Sequence, residues 1–152
     1  MRDLDRDIRE LERETYSNGY IQPYAYPATS KRKSFGKDTT GIEHSIFLKS
    51  IEVDKSGRGK HFVEFTESDF PRYNAKTTYF ISHIGYTIDC DTREIRVTGE
   101  RFFDVNGQAI LVNLQGKSLR ERTTLKYSNS LFAKIPKDKN NFYNIYMKYV
   151  CH

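Results

Sequence analysis

The chain reads as an α+β domain: a small antiparallel β-sheet with a C-terminal helix packed on it and an N-terminal amphipathic helix ahead of it. Three observations predict this. Apolar and polar residues alternate with period two in several stretches that stop at turn residues. Eleven Tyr and ten Phe among 152 residues, with no Trp, favour a sheet, because such rings pack well on a pleated surface. The last stretch changes to helical spacing behind an asparagine cap. This length allows one domain with a real core, but not two.

Residues Arg2 to Thr15 place Leu4, Ile8 and Leu11 on one helical stripe in an otherwise charged segment. Asp5 with Arg9 and Arg6 with Glu10 are i,i+4 pairs that support a helix. The stripe is narrow, so the helix is a solvated arm or packs against a second copy in a homodimer. Tyr16 to Gly41 is read as a connector, since Pro23 and Pro27 forbid a regular helix and Asn18-Gly19 is a turn signal. It carries Tyr16, Tyr20, Tyr24, Tyr26 and the basic run Lys31-Arg32-Lys33. Rings among cations can stack on nucleic acid, but tyrosines of an extended arm more often lie on the protein's own sheet. The expected division is therefore a helix and Tyr/Pro/basic connector over 1–41 and a single α+β domain over 42–152.

The sheet begins in the pattern at Ile42, His44, Ile46 and Leu48, and Ile51 and Val53 continue in the opposite phase, which predicts a bulge near Lys49-Ser50. Ser56 to Gly59 is a turn, and no Gly-Lys-Ser/Thr follows it as a phosphate loop requires. His61, Val63 and Phe65 return, and Glu67 to Lys76 reads as a polar loop around Pro71. Thr78 to Cys90 is a long strand with Phe80, Ser82, Ile84, Tyr86, Ile88 and Cys90 on one face. Asp91-Thr92 turns into a strand over Glu94 to Phe103. Asn106-Gly107 then predicts a type I′ hairpin with Ala109 to Leu114 as its second strand. Gln115 to Ser130 reads as a long loop or insertion, with a short helix starting at the Ser118 and Glu121 capping box. Leu131 to Ile135 is a last strand stopped by Pro136. Asn140 or Asn141 then caps a helix with Phe142, Ile145, Tyr146 and Tyr149 on one face.

Two cysteines are too few for a tetrahedral metal site, which leaves two buried thiols or one disulfide. Cys151 is followed only by His152, an unusual place for a core thiol, so a Cys90–Cys151 bond is expected. Closing a loop of roughly sixty residues stabilises by about 4 kcal/mol on the chain-entropy model. A disulfide implies an oxidising compartment. Met1 leads straight into charged residues without an apolar run, so the expectation is an exported protein whose export signal has been removed; a cytosolic protein with free thiols is the alternative.

No nucleophile elbow, His-Glu-x-x-His helix or acid pair is present, so no enzyme and no cofactor are expected. His44, His61 and His83 could gather a zinc ion across neighbouring strands, but a lone strand histidine is more often a half-buried sheet residue, so no metal is expected. Charge is more informative. Between Gln115 and Lys139, the cations Lys117, Arg120, Arg122, Lys126, Lys134, Lys137 and Lys139 face only Glu121 and Asp138, an excess of +5 that equals the net charge of the whole chain. These seven are the candidate ligand-binding residues, a basic surface for anionic glycans, phosphates or nucleic acid.

One further pattern goes beyond composition. A strand into Ile88-Asp89-Cys90, the run Asp91 to Val97, Phe102-Phe103 before Asn106-Gly107, a proline-led polar loop and a helix ending Lys148-Tyr149-Val150-Cys151 together resemble the surface-adhesin protein E family of small bacterial envelope proteins. The matching positions are Asp89, Cys90, Arg93, Val150 and Cys151, within Ile42 to His152. The resemblance implies an exported envelope protein, at the periplasm or cell surface, with one disulfide and no enzymatic activity. The family's best-known member binds host matrix proteins, which makes a matrix protein or anionic glycan the implied partner. A cytosolic nucleic-acid-binding module using the basic segment and the Tyr-rich arm is the alternative.

Overall fold

A computed structural model describes residues 26–27, 29–54, 57–74, 77–112, 125–126 and 130–151. The expected N-terminal helix, the homodimer contact assigned to it, and the short helix from Ser118 lie outside the described residues.

Among the described residues, eight strands form one antiparallel sheet: β1 Arg32–Lys37, β2 Glu43–Phe47, β3 Glu52–Val53, β4 Gly59–Tyr73, β5 Thr78–Asp89, β6 Glu94–Phe103, β7 Leu125–Lys126 and β8 Ala133–Lys134. The order β1-β2-β4-β5-β6-β7 makes every neighbour antiparallel, with β3 added to β4 and β8 to β6. One helix, α1 Phe142–Val150, lies against one face. The sheet thus starts at Arg32, inside the stretch read as connector, because Arg32, Lys33 and Ser34 pair with Phe47, Ile46 and Ser45.

The phase reversal near Lys49-Ser50 is a single 3-10 turn, Leu48–Ser50, rather than a bulge. It lets β2 and β3 occupy the same edge of β4 in tandem. The Ser50 hydroxyl fills the gap: it accepts from Val63 N at 2.8 Å and donates to Phe47 O at 2.7 Å, so buried backbone groups stay paired.

Glu67 to Tyr73 is strand, not loop, and this corrects the sequence reading. The pairing of β4 with β5 is interrupted between Glu67 and Arg72 and then resumes. Pro71 falls in that interruption, where its missing N–H costs no ladder bond. The turn after β6 also differs from expectation. Gly107 N donates to Asp104 O, and among non-glycine residues only Arg93 has positive φ within the described chain, so Asn106 does not. Gly107, with φ 79°, follows a type I turn, and Asp104 N donating to Gln108 O closes a three-residue hairpin loop. Of the return strand, the described residues show a bridge between Phe103 and Ala109, an Ile110 N to Phe102 O bond and a further bridge position at Val112.

The face under α1 holds Ile46, Phe62, Ile84, Tyr86, Ile88, Ile95 and Phe102, joined by Val112, Leu125 and Ile135. Asn141 caps α1, accepting from Tyr143 N at 2.9 Å and Asn144 N at 3.4 Å. The buried stripe of the helix is Asn144, Tyr146, Met147 and Val150, rotated from the expected one, so that Ile145 and Tyr149 sit half-buried at its border. A Cys90–Cys151 disulfide ties its end to the β5–β6 turn, as expected. In that turn Arg93 takes φ 59°, an uncommon conformation for a side-chain-bearing residue. Contacts on three sides hold it: Arg93 N donates to Asp89 O, Ile135 N donates to Arg93 O, and its guanidinium donates to Asn144 Oδ1 at 3.2 Å.

The other face carries a smaller cluster of Phe47, Val63 and Phe65 with Tyr26 and Ile81. Tyr26 stacks on Phe47 at 5.2 Å, so this arm tyrosine lies on the protein's own sheet.

Candidate functional site

β4 carries apolar residues in both phases, Phe62 on the α1 side and Val63 and Phe65 on the other, so it is buried from both faces. A charged residue in such a strand has no escape to solvent. Glu64 is that residue, 5% exposed, and it faces α1 with Phe62 and Thr66. The register places His44 on the same face, opposite Thr66. Past the N-terminal end of α1 this face is not fully covered, and a cavity of about 460 Å³ opens there. Its floor is Glu64, Thr66, Ser82, Ile84 and Tyr86, and Phe142 and Tyr143 of α1 wall one side.

Two polar clusters furnish it. In the first, His44 lies between two carboxylates, with Nε2 at 2.9 Å from Asp38 Oδ2 and Nδ1 at 3.4 Å from Glu64 Oε2. Tyr146 donates to the same Glu64 oxygen at 2.5 Å, and Phe142 stacks on the imidazole at 3.9 Å. Burial pushes the His44 pKa down, but the hydrogen bonds and charges of Glu64 and Asp38 outweigh it and hold the value above the ordinary one. Burial likewise works against ionised Asp38, yet hydrogen bonds from Thr40, His44 and the Ile42 amide hold its carboxyl well below the usual range. Burial first, and then the negative charge of Glu64, raises the Tyr146 phenol, which stays a donor.

The second cluster centres on Arg72. The β4 irregularity turns this side chain back over the sheet, where Nε donates to Ser68 Oγ at 2.9 Å, Nη1 to Thr66 Oγ1 at 2.8 Å and Nη2 to Phe80 O at 2.7 Å. Its guanidinium lies over Tyr79, 4.6 Å from the ring centre. Thr66 and Ser82 share a 2.5 Å hydrogen bond beside it.

The sequence-derived candidates lie elsewhere. Lys117, Arg120 and Arg122 lie outside the described residues, and Lys126 is known as a backbone position on β7 opposite Gly99. Lys134 on β8 donates to Thr92 O at 2.8 Å, while Lys137 and Lys139 are exposed on the way to α1. The three strand histidines do not converge: His83 pairs opposite Phe65 and packs against Phe47 and Phe103, His61 shares that face, and His44 is on the other. Among the described residues no His, Cys, Asp or Glu group is arranged to hold a metal. No helix among them is long and apolar enough to cross a membrane.

Sequence reasoning passed over Asp38, Glu64 and Arg72. The available signal was a glutamate inside a strand apolar in both phases. Arg72 gave none, because its position depends on a break in strand register.

No protein-family model and no curated protein matches the chain. Among solved structures it is similar to crystal form II of Haemophilus influenzae protein E. That weak likeness has a TM-score of 0.49 and 14% identity, over 88% of this chain and 98% of that one.

Proposed function

We propose that this chain is a non-enzymatic domain of an exported bacterial envelope protein that works by binding, with the basic 115–139 stretch meeting a polyanionic or matrix partner. The Cys90–Cys151 disulfide carries the reading, because such bonds persist in oxidising compartments and are rare in the cytosol. The motif order around those cysteines supports an envelope role. His44, whose two ring nitrogens both meet carboxylates, is engaged in the protein's own polar network. Lys137 and Lys139 are exposed, as a surface that attracts anions requires.

Retention on a heparin column tests the surface. Changing Arg120, Arg122, Lys137 and Lys139 to Glu should bring elution to much lower salt with an unchanged Tm, because the attraction is a sum of screened contacts. Lys31→Glu with Lys33→Glu is the control; Arg32 is left alone because it lies over the Phe65 ring at 3.7 Å. Unchanged retention in the first variant would remove the basic stretch from the reading. Alkylation of the unreduced protein from its native cell fraction tests export, and two modified cysteines would overturn it.

A further inference from the structure

Glu64 and Arg72 line the same cavity, and each is only partly used by the protein. Both partners of Glu64 among the described residues, His44 and the Tyr146 hydroxyl, meet Oε2. Among the described residues Oε1 has no partner, and it is not one of the polar atoms sealed from solvent, so it opens to the cavity its residue lines. A carboxylate oxygen on a side chain this deeply buried is costly unless something charged or strongly donating meets it. Arg72 shows the converse. Three of its five N–H groups are used by Ser68, Thr66 and Phe80, and the other two, one on each terminal nitrogen, have no partner among the described residues.

The spacing between these half-satisfied groups is set by the strand. Glu64 and Thr66 are two residues apart on one face, about 7 Å along β4. Arg72 is hydrogen-bonded to Thr66, which puts its guanidinium roughly one such two-residue spacing from Glu64 along the strand. An anion acceptor and a cation donor at that separation fit one small molecule with an ammonium and a carboxylate on the same carbon, each reaching its partner through a bond of about 2.8 Å. Thr66 and Ser82 lie between the two groups; beside Glu64 the floor is Ile84, with Glu100 opposite it on β6 and Val97 and Phe102 to either side as the apolar surface for a side chain. The volume lies within the range of small-molecule sites.

We propose that this cavity binds a free α-amino acid with an apolar side chain, its ammonium on Glu64 Oε1 and its carboxylate on the Arg72 guanidinium. A neutral polyol would leave both charges poorly compensated, and a simple amine or a simple carboxylate would satisfy only one. The site is separate from the basic stretch and does not depend on it.

Titration calorimetry on the intact protein at neutral pH tests this with L-leucine, L-phenylalanine, propylamine, propionate and glucose as probes. One or both amino acids should bind with a Kd of about 1 mM or tighter, and at least about tenfold better than the other three probes. Arg72→Met should weaken that binding by about tenfold or more, as should Glu64→Gln. Arg72→Met leaves the His44–Glu64–Tyr146 contacts in place, so its result stands even if Glu64→Gln lowers the Tm. Three results would each overturn the proposal: neither amino acid binding, propylamine or glucose binding as well as either of them, or full affinity retained by Arg72→Met. The glutamate substitutions at 120, 122, 137 and 139 should leave this affinity unchanged, which keeps a failure of this site distinct from a failure of the basic surface.

Discussion

The sheet face beneath α1 has two ends that differ in chemistry although the same strands build both. At the Cys90–Cys151 end, Ile88, Ile95, Ile135, Met147 and Val150 meet in dry contact, and the disulfide fastens the helix over them. At the other end the same strand phases carry Glu64, Thr66 and Ser82, the helix has stopped at its Asn141 cap, and the residues beyond it are joined by hydrogen bonds around a cavity. Phase along a strand decides which face a residue takes. The reach of the covering helix decides whether an apolar or a polar residue is tolerated there. Burial without water requires apolar atoms or complete pairing, and only the uncovered end leaves room for groups that wait for a ligand.

The contrast is open to direct attack. Replacing Cys90 and Cys151 together by Ser should cost the most, about 4 kcal/mol for a cross-link between residues 61 apart, read from denaturant unfolding. An unchanged unfolding midpoint would mean that apolar packing alone holds the helix down. Next in size is a matched pair on β5, on the same face. Ile88→Ala removes a fully buried side chain from the dry end and should cost about 3 kcal/mol. Ser82→Ala at the cavity end should cost only about 1 kcal/mol, since Thr66 keeps its bond from Arg72. Equal losses in the two variants would erase the distinction between the ends.

The smallest effect is a pH dependence confined to the cavity end. The folded pKa of His44 is raised, so its contribution is fully present below about 6.5, its unfolded value, and fades as pH rises through the folded value. Asp38 is depressed, so its contribution is present above about 4 and is lost only as pH falls through its folded value. Burial lowers His61 on the opposite face and gives it the reverse slope, so the two histidines partly cancel in the wild type. Relative to the wild type, His44→Gln should therefore shift the slope of Tm between about pH 5.5 and 8 toward a gain with rising pH, and His61→Gln should shift it toward a loss. Identical Tm profiles for the wild type and His44→Gln would remove the imidazolium from the stabilising network.

How far all this could be read in advance follows from which interactions are local. The amino-acid sequence by itself determined the alternation of β2 and β5, the glycine turn before β4, an asparagine cap on the last helix and the pairing of Cys90 with Cys151, because each depends on near neighbours or on there being only two cysteines. Only the tertiary structure decided that Arg32–Lys37 joins the sheet, because an edge strand shows itself by the ladder it completes. The continuation of β4 past Pro71 needed the register break that excuses the missing N–H. The cavity was decided last of all: Asp38, His44, Glu64, Arg72 and Tyr146 come from three separate stretches of chain. Their charges take on meaning only at hydrogen-bond distance inside a poorly hydrated site, where a pair that water would screen becomes a fixed anchor.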